Sequence, residues 1–278
     1  MSDVQHLDKK LKSLKLGGMR ETLEQRLKQC QDGHLGYIEF LEFLLEDELQ
    51  RRANKKLELR VAQARFEEVK TLETFNFEFN PKIPSRQIMD LANCQFIERK
   101  EWALFIGPVG VGKSHLVQAL GHQACRLGYR VLFTRASRLL TDLGGGHADG
   151  TWEKRLRHYS KPDLLLIDDF AMKEFTLKQA EDFYELVNER SQAGSLVLAG
   201  NRSPKDWYPL FPNPVLAGRH TRPAHQQGAS HSSHRSELPH SAKAGGKWIA
   251  QGGDRQRCKM AVARYPGVVN LLENHLGQ

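Results

Sequence analysis

Only four cysteines occur in the 278 residues, Cys30, Cys94, Cys125 and Cys258, and none forms a C-x-x-C pair or stands at a metal-ligand spacing. That excludes a disulfide framework and a cysteine-based zinc site, and fits free thiols in a reducing compartment. Long hydrophobic runs are also missing. The N-terminus "MSDVQHLDKKLKSLKLGG" is polar and lacks the apolar core of a signal peptide, and no apolar stretch approaches membrane length. The expectation is a cytoplasmic chain with no membrane partner. No internal repeat is present, which excludes a solenoid.

A surplus of charge is weaker than its total suggests. The net charge of +8 invites a nucleic-acid reading, but residues 218–278 hold nine of the 41 basic residues and only three of the 33 acidic ones. That tail carries +6 and leaves +2 for the 217 residues before it. Local basic clusters must therefore carry any claim of DNA binding.

Leu7, Leu11, Leu14, Leu23 and Leu27 recur at helical spacings, interrupted near Gly17 and Gly18. A longer pattern, "YIEFLEFLLEDELQRRANKKLELRVAQARF", is acidic and aromatic in its first half. Its second half presents Arg51, Arg52, Lys55, Lys56, Arg60 and Arg65, which read either as a solvated face or as a phosphate-contacting surface. Residues 1–70 thus form a small all-α module. The stretch "TFNFEFNPKIPSRQ" reads as a linker, with a helix at about 86–98 after it. Four apolar runs follow at 102–106, 130–134, 163–168 and 195–200, with helical periods over 113–127, 136–143 and 176–192 between them. Continuous apolar strands alternating with helices predict an α/β fold with a parallel sheet.

The segment "GPVGVGKS" leaves the strand "WALFI" and opens the helix "SHLVQALGHQAC", matching G-x-x-x-x-G-K-[ST] in its required setting. Gly107, Gly110 and Gly112 allow a tight turn whose N–H groups reach phosphate oxygens, and the helix N-terminus adds a favourable dipole. Lys113 would reach the β- and γ-phosphates, and the Ser114 hydroxyl would ligate Mg2+. In "LLLIDDF", Asp168 would hold the metal's water shell and Asp169 would orient the attacking water. The strand "SLVLAGNR" ends in Asn201, positioned to sense the γ-phosphate or hold the water.

Together with "NPKIPSRQIMDLANCQFIERKE", "ELVNERSQAGSLVLAGNRSPKDWYPLF" and the N-terminal "LKSLKLGGMRETL" and "GYIEFLEFLLEDEL", these motifs closely resemble the IstB-like ATP-binding proteins over residues 5–217. Members of that family are transposition helpers encoded beside the transposase of bacterial insertion sequences, and are related in form to the helicase loader DnaC. The resemblance implies an AAA+ ATPase core over 71–217 with ATP and Mg2+ as cofactors. It implies a homo-oligomer on DNA, bound largely without sequence specificity, and recruitment or activation of the transposase. The N-terminal module would contact DNA or transposase. Carried onto this chain, Gly107, Pro108, Val109, Gly110, Val111, Gly112, Lys113, Ser114 and His115 are the nucleotide-binding set. Ser114 and Asp168 are the metal ligands, and Lys113, Asp168, Asp169 and Asn201 are the catalytic group. Asp169 stands where many AAA+ proteins have Glu. Arg190 ends a helix and could face a neighbouring subunit. A replicative helicase loader with the same ATPase is the alternative reading.

After Ala217 the resemblance fails. The family would continue with a helix containing Leu-Asp-Arg-Leu, an edge strand, and the arginines of a trans-acting finger and second sensor. Residues 218–278 instead are basic and rich in His, Gln, Ser and Gly, the composition of a disordered tail. The core would then lack its last helix and edge strand and expose a sheet edge. Back-translating "GRHTRPAHQQG" and reading one nucleotide later permits Asp-Ala-Ile-Leu-Asp-Arg-Leu-Ile-Asn-Lys, the missing helix in its place. Two readings follow: a frameshift near Ala217–Gly218, leaving a remnant that binds ATP without productive hydrolysis, or a genuine basic DNA-binding tail. Sequencing the encoding DNA separates them. The frameshift reading requires the shifted frame to spell that helix.

Overall fold

The computed structural model describes residues 3–33, 35–79, 83–212 and 261–265. Three helices, α1 (Asp3–Ser13), α2 (Gly17–Gln31) and α3 (Tyr37–Ala64), make the N-terminal module. Leu11, Met19, Leu23 and Leu44 are buried between them. Leu16, the residue before α2, offers no side-chain cap to the free N–H groups of the first turn. Glu48 of α3 supplies the missing acceptor. Its buried carboxylate takes the Gly18 N–H at 2.6 Å and the Arg52 Nε–H at 2.7 Å. Burial pushes the Glu48 carboxyl up, but those two bonds together outweigh it and hold it below its usual value. Arg51 pairs with Glu21 at 3.0 Å. Two of the six cations in the basic half of α3 are thus tied to carboxylates of the module, while Lys55 and Lys56 stand exposed.

The segment after α3 is docked, not free. Gln118 accepts the Glu67 and Glu68 N–H groups at 3.0 and 3.1 Å, and the Phe66 ring stacks on His122 at 4.3 Å. Phe66, Leu72, Phe75 and Phe77 pack against the core, so the aromatic content of the linker overrides its Pro and Asn punctuation. The helix expected at 86–98 is two, α4 (Ser85–Ala92) and α5 (Gln95–Glu98), broken at Cys94, whose φ is 56°.

Strands β1 (Trp102–Ile106), β2 (Val131–Arg135), β3 (Leu164–Phe170) and β4 (Ser195–Gly200) pair in parallel in the order β2-β3-β4-β1. Every residue of β4 is buried, as expected for strands covered on both faces. On one face lie α6 (Lys113–Arg126), α4, α5 and the end of α3. On the other lie α7 (Ala136–Asp149), α8 (Trp152–Ser160) and α9 (Leu177–Ala193). The start of α9 follows from its sequence: Thr176 Oγ1 accepts the Gln179 N–H, and Gln179 Oε1 accepts the Thr176 N–H. Helix α7 runs past its expected end at 143, through three glycines. Arg155 of α8 spans that stretch, donating to Asp142 at its start and Asp149 at its end.

The segment beyond Pro212 lies outside the described residues except for β5 (Ala261–Tyr265), which pairs antiparallel with β1. The β1 edge, expected to be unpaired, is therefore covered. No helix of the described residues is long and apolar enough to cross a membrane.

Arg190 does not face a neighbouring subunit. It is 0% exposed. Its Nη1 donates to the carbonyls of Tyr159 (2.8 Å), Ser160 (3.2 Å) and Pro162 (3.1 Å), and its Nη2 to that of Ser195. Burial pushes the guanidinium down to about 10, with Asp163 opposing, so it stays charged at neutral pH. The arginine closes the bottom of β3 and β4 by donating to four inward-facing carbonyls. Arg190→Met is expected to cost at least 2 kcal/mol, since each buried carbonyl left unpaired costs about 1–3 kcal/mol. Thermal unfolding checks this, and an unchanged Tm would refute the structural role.

Candidate nucleotide-binding site

The site forms where β1, β3 and β4 end side by side, the edge at which open α/β sheets bind ligands. Its floor depends on an irregularity in β3. Ile167 pairs with Leu198 and Phe170 with Gly200, so β3 takes three steps while β4 takes two. The extra residue is a β-bulge, which bends a strand and re-aims its side chains. Asp169 occupies it with φ 54°, a left-handed conformation that aspartate tolerates better than most residues. Gly200 makes room on β4, where a Cβ would lie 2.7 Å from the Phe170 carbonyl oxygen.

The bulge sends Asp168 and Asp169 to different places. Asp168 is buried, accepts the Asp169 N–H at 2.9 Å, and is hydrogen-bonded by the Ser114 hydroxyl. Burial pushes its carboxyl up, and the Ser114 and Asp169 bonds only partly oppose that. Asp169 is half-exposed and stands 3.7 Å from Arg135 Nη1. Arg135, at the end of β2, also donates to both Glu67 carboxylate oxygens, at 2.8 and 2.6 Å.

The phosphate loop runs from Gly107 to Gly112. Gly112 is the residue before α6 and has φ 89°, and a Cβ there would meet the Phe75 ring at 2.7 Å, so two separate constraints demand glycine. No side chain caps α6, which leaves its leading N–H groups for an anion. The Lys113 ammonium lies along the loop, donating to the Gly107 and Pro108 carbonyls at 2.8 Å each. Burial lowers its pKa, while Asp168 and Asp169 pull it back up.

These groups surround a cleft of about 310 Å³ lined by Val109, Gly110, Gly112, Lys113, Ser114, His115, Asp169, Met172, Gly200 and Asn201. Most of the residues expected from sequence are therefore brought together. Gly107 and Pro108 contribute carbonyls to Lys113 and do not line the cleft, Val111 is buried under the loop, and Asp168 sits behind Ser114. His115 lines the cleft, but its Nε2 is held by the Thr71 carbonyl at 3.1 Å and its ring meets Phe75 at 5.0 Å. Sequence reasoning missed Arg135, Phe75 and Met172. The arginine ending the apolar run "RVLFTR" was the one available signal.

A carboxylate kept dry behind a loop of phosphate size, at the ends of a parallel sheet, defines the class: a P-loop ATP-binding protein. Within that class the chain belongs to the IstB-like ATP binding protein family, which it matches over residues 9–227. That match includes the first ten residues after Ala217. The chain is 49% identical over 208 residues to an insertion-sequence ATP-binding protein of Mycobacterium tuberculosis, covering 74% of this chain and 83% of that protein. It is 35% identical over 214 residues to the ATP-binding protein of insertion sequence IS21 of Pseudomonas aeruginosa, covering 77% and 81%. Among solved structures, the DnaC helicase loader is similar over 49% of this chain and 82% of that chain, with 21% identity and a TM-score of 0.43.

The state of Asp168 has a measurable consequence. Its folded pKa is raised, so the folded chain holds that proton more tightly than the unfolded chain does. The resulting stability is present at acid pH and is lost as pH rises through the folded value. At pH 7 without nucleotide, the buried carboxylate is a penalty. Asp168→Asn is therefore expected to raise Tm by about 2–4 °C, the shift that roughly 1 kcal/mol gives a domain of this size. The difference should shrink toward pH 4, and a lower Tm for the variant at pH 7 would contradict it.

Proposed function

We propose that the chain is an ATPase that assists transposition of an insertion sequence, associating with DNA as an oligomer and recruiting or activating the element's transposase. The observation that carries the ATPase part is the Ser114 bond to buried Asp168, beside a lysine at the head of an uncapped helix. Support for the transposition part comes from the relatives, which are ATP-binding proteins of insertion sequences. The helical module, residues 1–70, is the part proposed to meet DNA or transposase.

The residues present fit ATP with Mg2+. Lys113 exchanges its two carbonyl partners for phosphate oxygens, and the N–H groups of the loop and of the first turn of α6 hold the phosphates. Ser114 would ligate the metal, and Asp168 would accept from its waters; Mg2+ held there would supply neutralisation of charge building on the phosphates. Asp169 orients the attacking water, and Asn201 reports on the γ-phosphate from the end of β4. Arg135, bonded to Glu67 and close to Asp169, restrains that carboxylate.

Hydrolysis is reduced on this reading. Arg190, the arginine offered by the sequence for a neighbour's site, is committed to carbonyls of its own subunit. A missing arginine finger costs on the order of 10³ or more in rate. Lys113→Ala should weaken ATP binding by about 100-fold or more without lowering Tm, since it removes charge-assisted bonds to phosphate. A fluorescent nucleotide titration reads this, and an unchanged Kd would defeat the assignment. The unaltered chain should bind ATP with little DNA-stimulated turnover. Robust stimulation would mean that another arginine supplies the finger.

A further inference from the structure

Arg135 stands between two carboxylates from different parts of the chain. Glu67 lies three residues beyond the end of α3 and takes the Nε and Nη2 edge of the guanidinium, at 2.8 and 2.6 Å. Asp169, in the β3 bulge, faces the remaining Nη1 at 3.7 Å, too far for a hydrogen bond. A planar guanidinium grips one carboxylate side-on with two bonds, so the two acids compete for the same arginine. Glu67 does most to hold the Arg135 charge above its usual range, and Asp169 adds less. The backbone around Glu67 is fixed in place. Arg65, which ends α3, is left-handed with φ 59°, and the Phe66 ring stacks on His122. The Glu67 and Glu68 N–H groups both donate to Gln118 Oε1 of α6.

We propose that Glu67 is a positioning residue of the ATPase: by occupying Arg135 it leaves Asp169 free to accept from the attacking water. A shift of α3 that withdraws Glu67 hands the arginine to Asp169 and silences the site. The proposal rests on the role given to Asp169 in the proposed function. Asp169 lines the cleft, and once gripped side-on both its oxygens accept from Arg135. A carboxylate neutralised in that way is a weaker acceptor for a water proton. The gap to close is small, from 3.7 Å to about 2.9 Å, and the half-exposed guanidinium has room to turn. The clamp gives the helical module a route to the water-positioning acid that is separate from the contact of Phe75 with the phosphate loop.

A thermal-unfolding cycle on the full chain without nucleotide reads the clamp apart from turnover. With Glu67→Ala, Arg135 turns to Asp169, so Asp169→Asn should lower Tm by about 2 °C more in that background than in the unaltered chain. Basal ATP turnover should fall about tenfold or more in Glu67→Ala with the nucleotide Kd unchanged, and adding Arg135→Met should restore it. If Glu67 only pins the segment after α3, its loss lowers Tm equally with either residue at 169, and Arg135→Met restores nothing. Either of those results overturns the proposal. A full chain that binds ATP and never turns it over refutes the ATPase reading instead, and the Tm cycle alone then decides the clamp.

Discussion

The ATP end of the sheet depends on a single extra residue in β3. Without the bulge, strand alternation would send Asp168 and Asp169 to opposite faces of the sheet, one of them into a helix layer. With it, Asp168 stays dry behind Ser114 while Asp169 turns out beside Arg135. Two neighbouring carboxylates thereby acquire different environments, one buried and one half-exposed. On the proposed function, that difference in surroundings, not in chemistry, separates a carboxylate for holding a metal from one for positioning water.

The same economy of position governs the rest of the core. A buried arginine closes the sheet at the opposite end from the cleft, where Tyr159, Ser160, Pro162 and Ser195 turn their carbonyls inward. A buried glutamate does the corresponding work in the helical module, replacing the cap that Leu16 cannot give α2. Each is a charged group in an apolar setting, tolerable because most of its charge meets a partner: both Nη atoms of Arg190 and both carboxylate oxygens of Glu48 are bonded.

Much of this was legible in the sequence. The four parallel strands, the loop from Gly107 to Ser114 and the paired aspartates announce themselves because they rest on local patterns: apolar runs, glycine spacing, a strand followed by a helix. What was hidden depends on partners distant in the chain. Arg190 looks like a surface residue at a helix end until the carbonyls around 160 fold over it. The stretch from Phe66 to Phe79 reads as a linker because its prolines and asparagines are local signals, whereas Gln118 and His122, which hold it, lie some fifty residues away. The bulge leaves no mark in sequence, since "IDDF" fits a regular strand end equally well. The β1 edge was expected bare because the family's own edge strand is absent. Residues 261–265 occupy it, which a short run interrupted by Arg264 signals only weakly.

The docked stretch after α3 also has a mechanical meaning. Helix α3 is continuous with a segment bonded to α6 through Gln118 and His115, and its Phe75 ring rests on Gly112 at the lip of the phosphate loop. A rod about 42 Å long at 1.5 Å per residue is thereby joined, through a docked segment, to a ring packed on the phosphate loop. Whatever grips the far end of the rod, the load arrives where the phosphates bind.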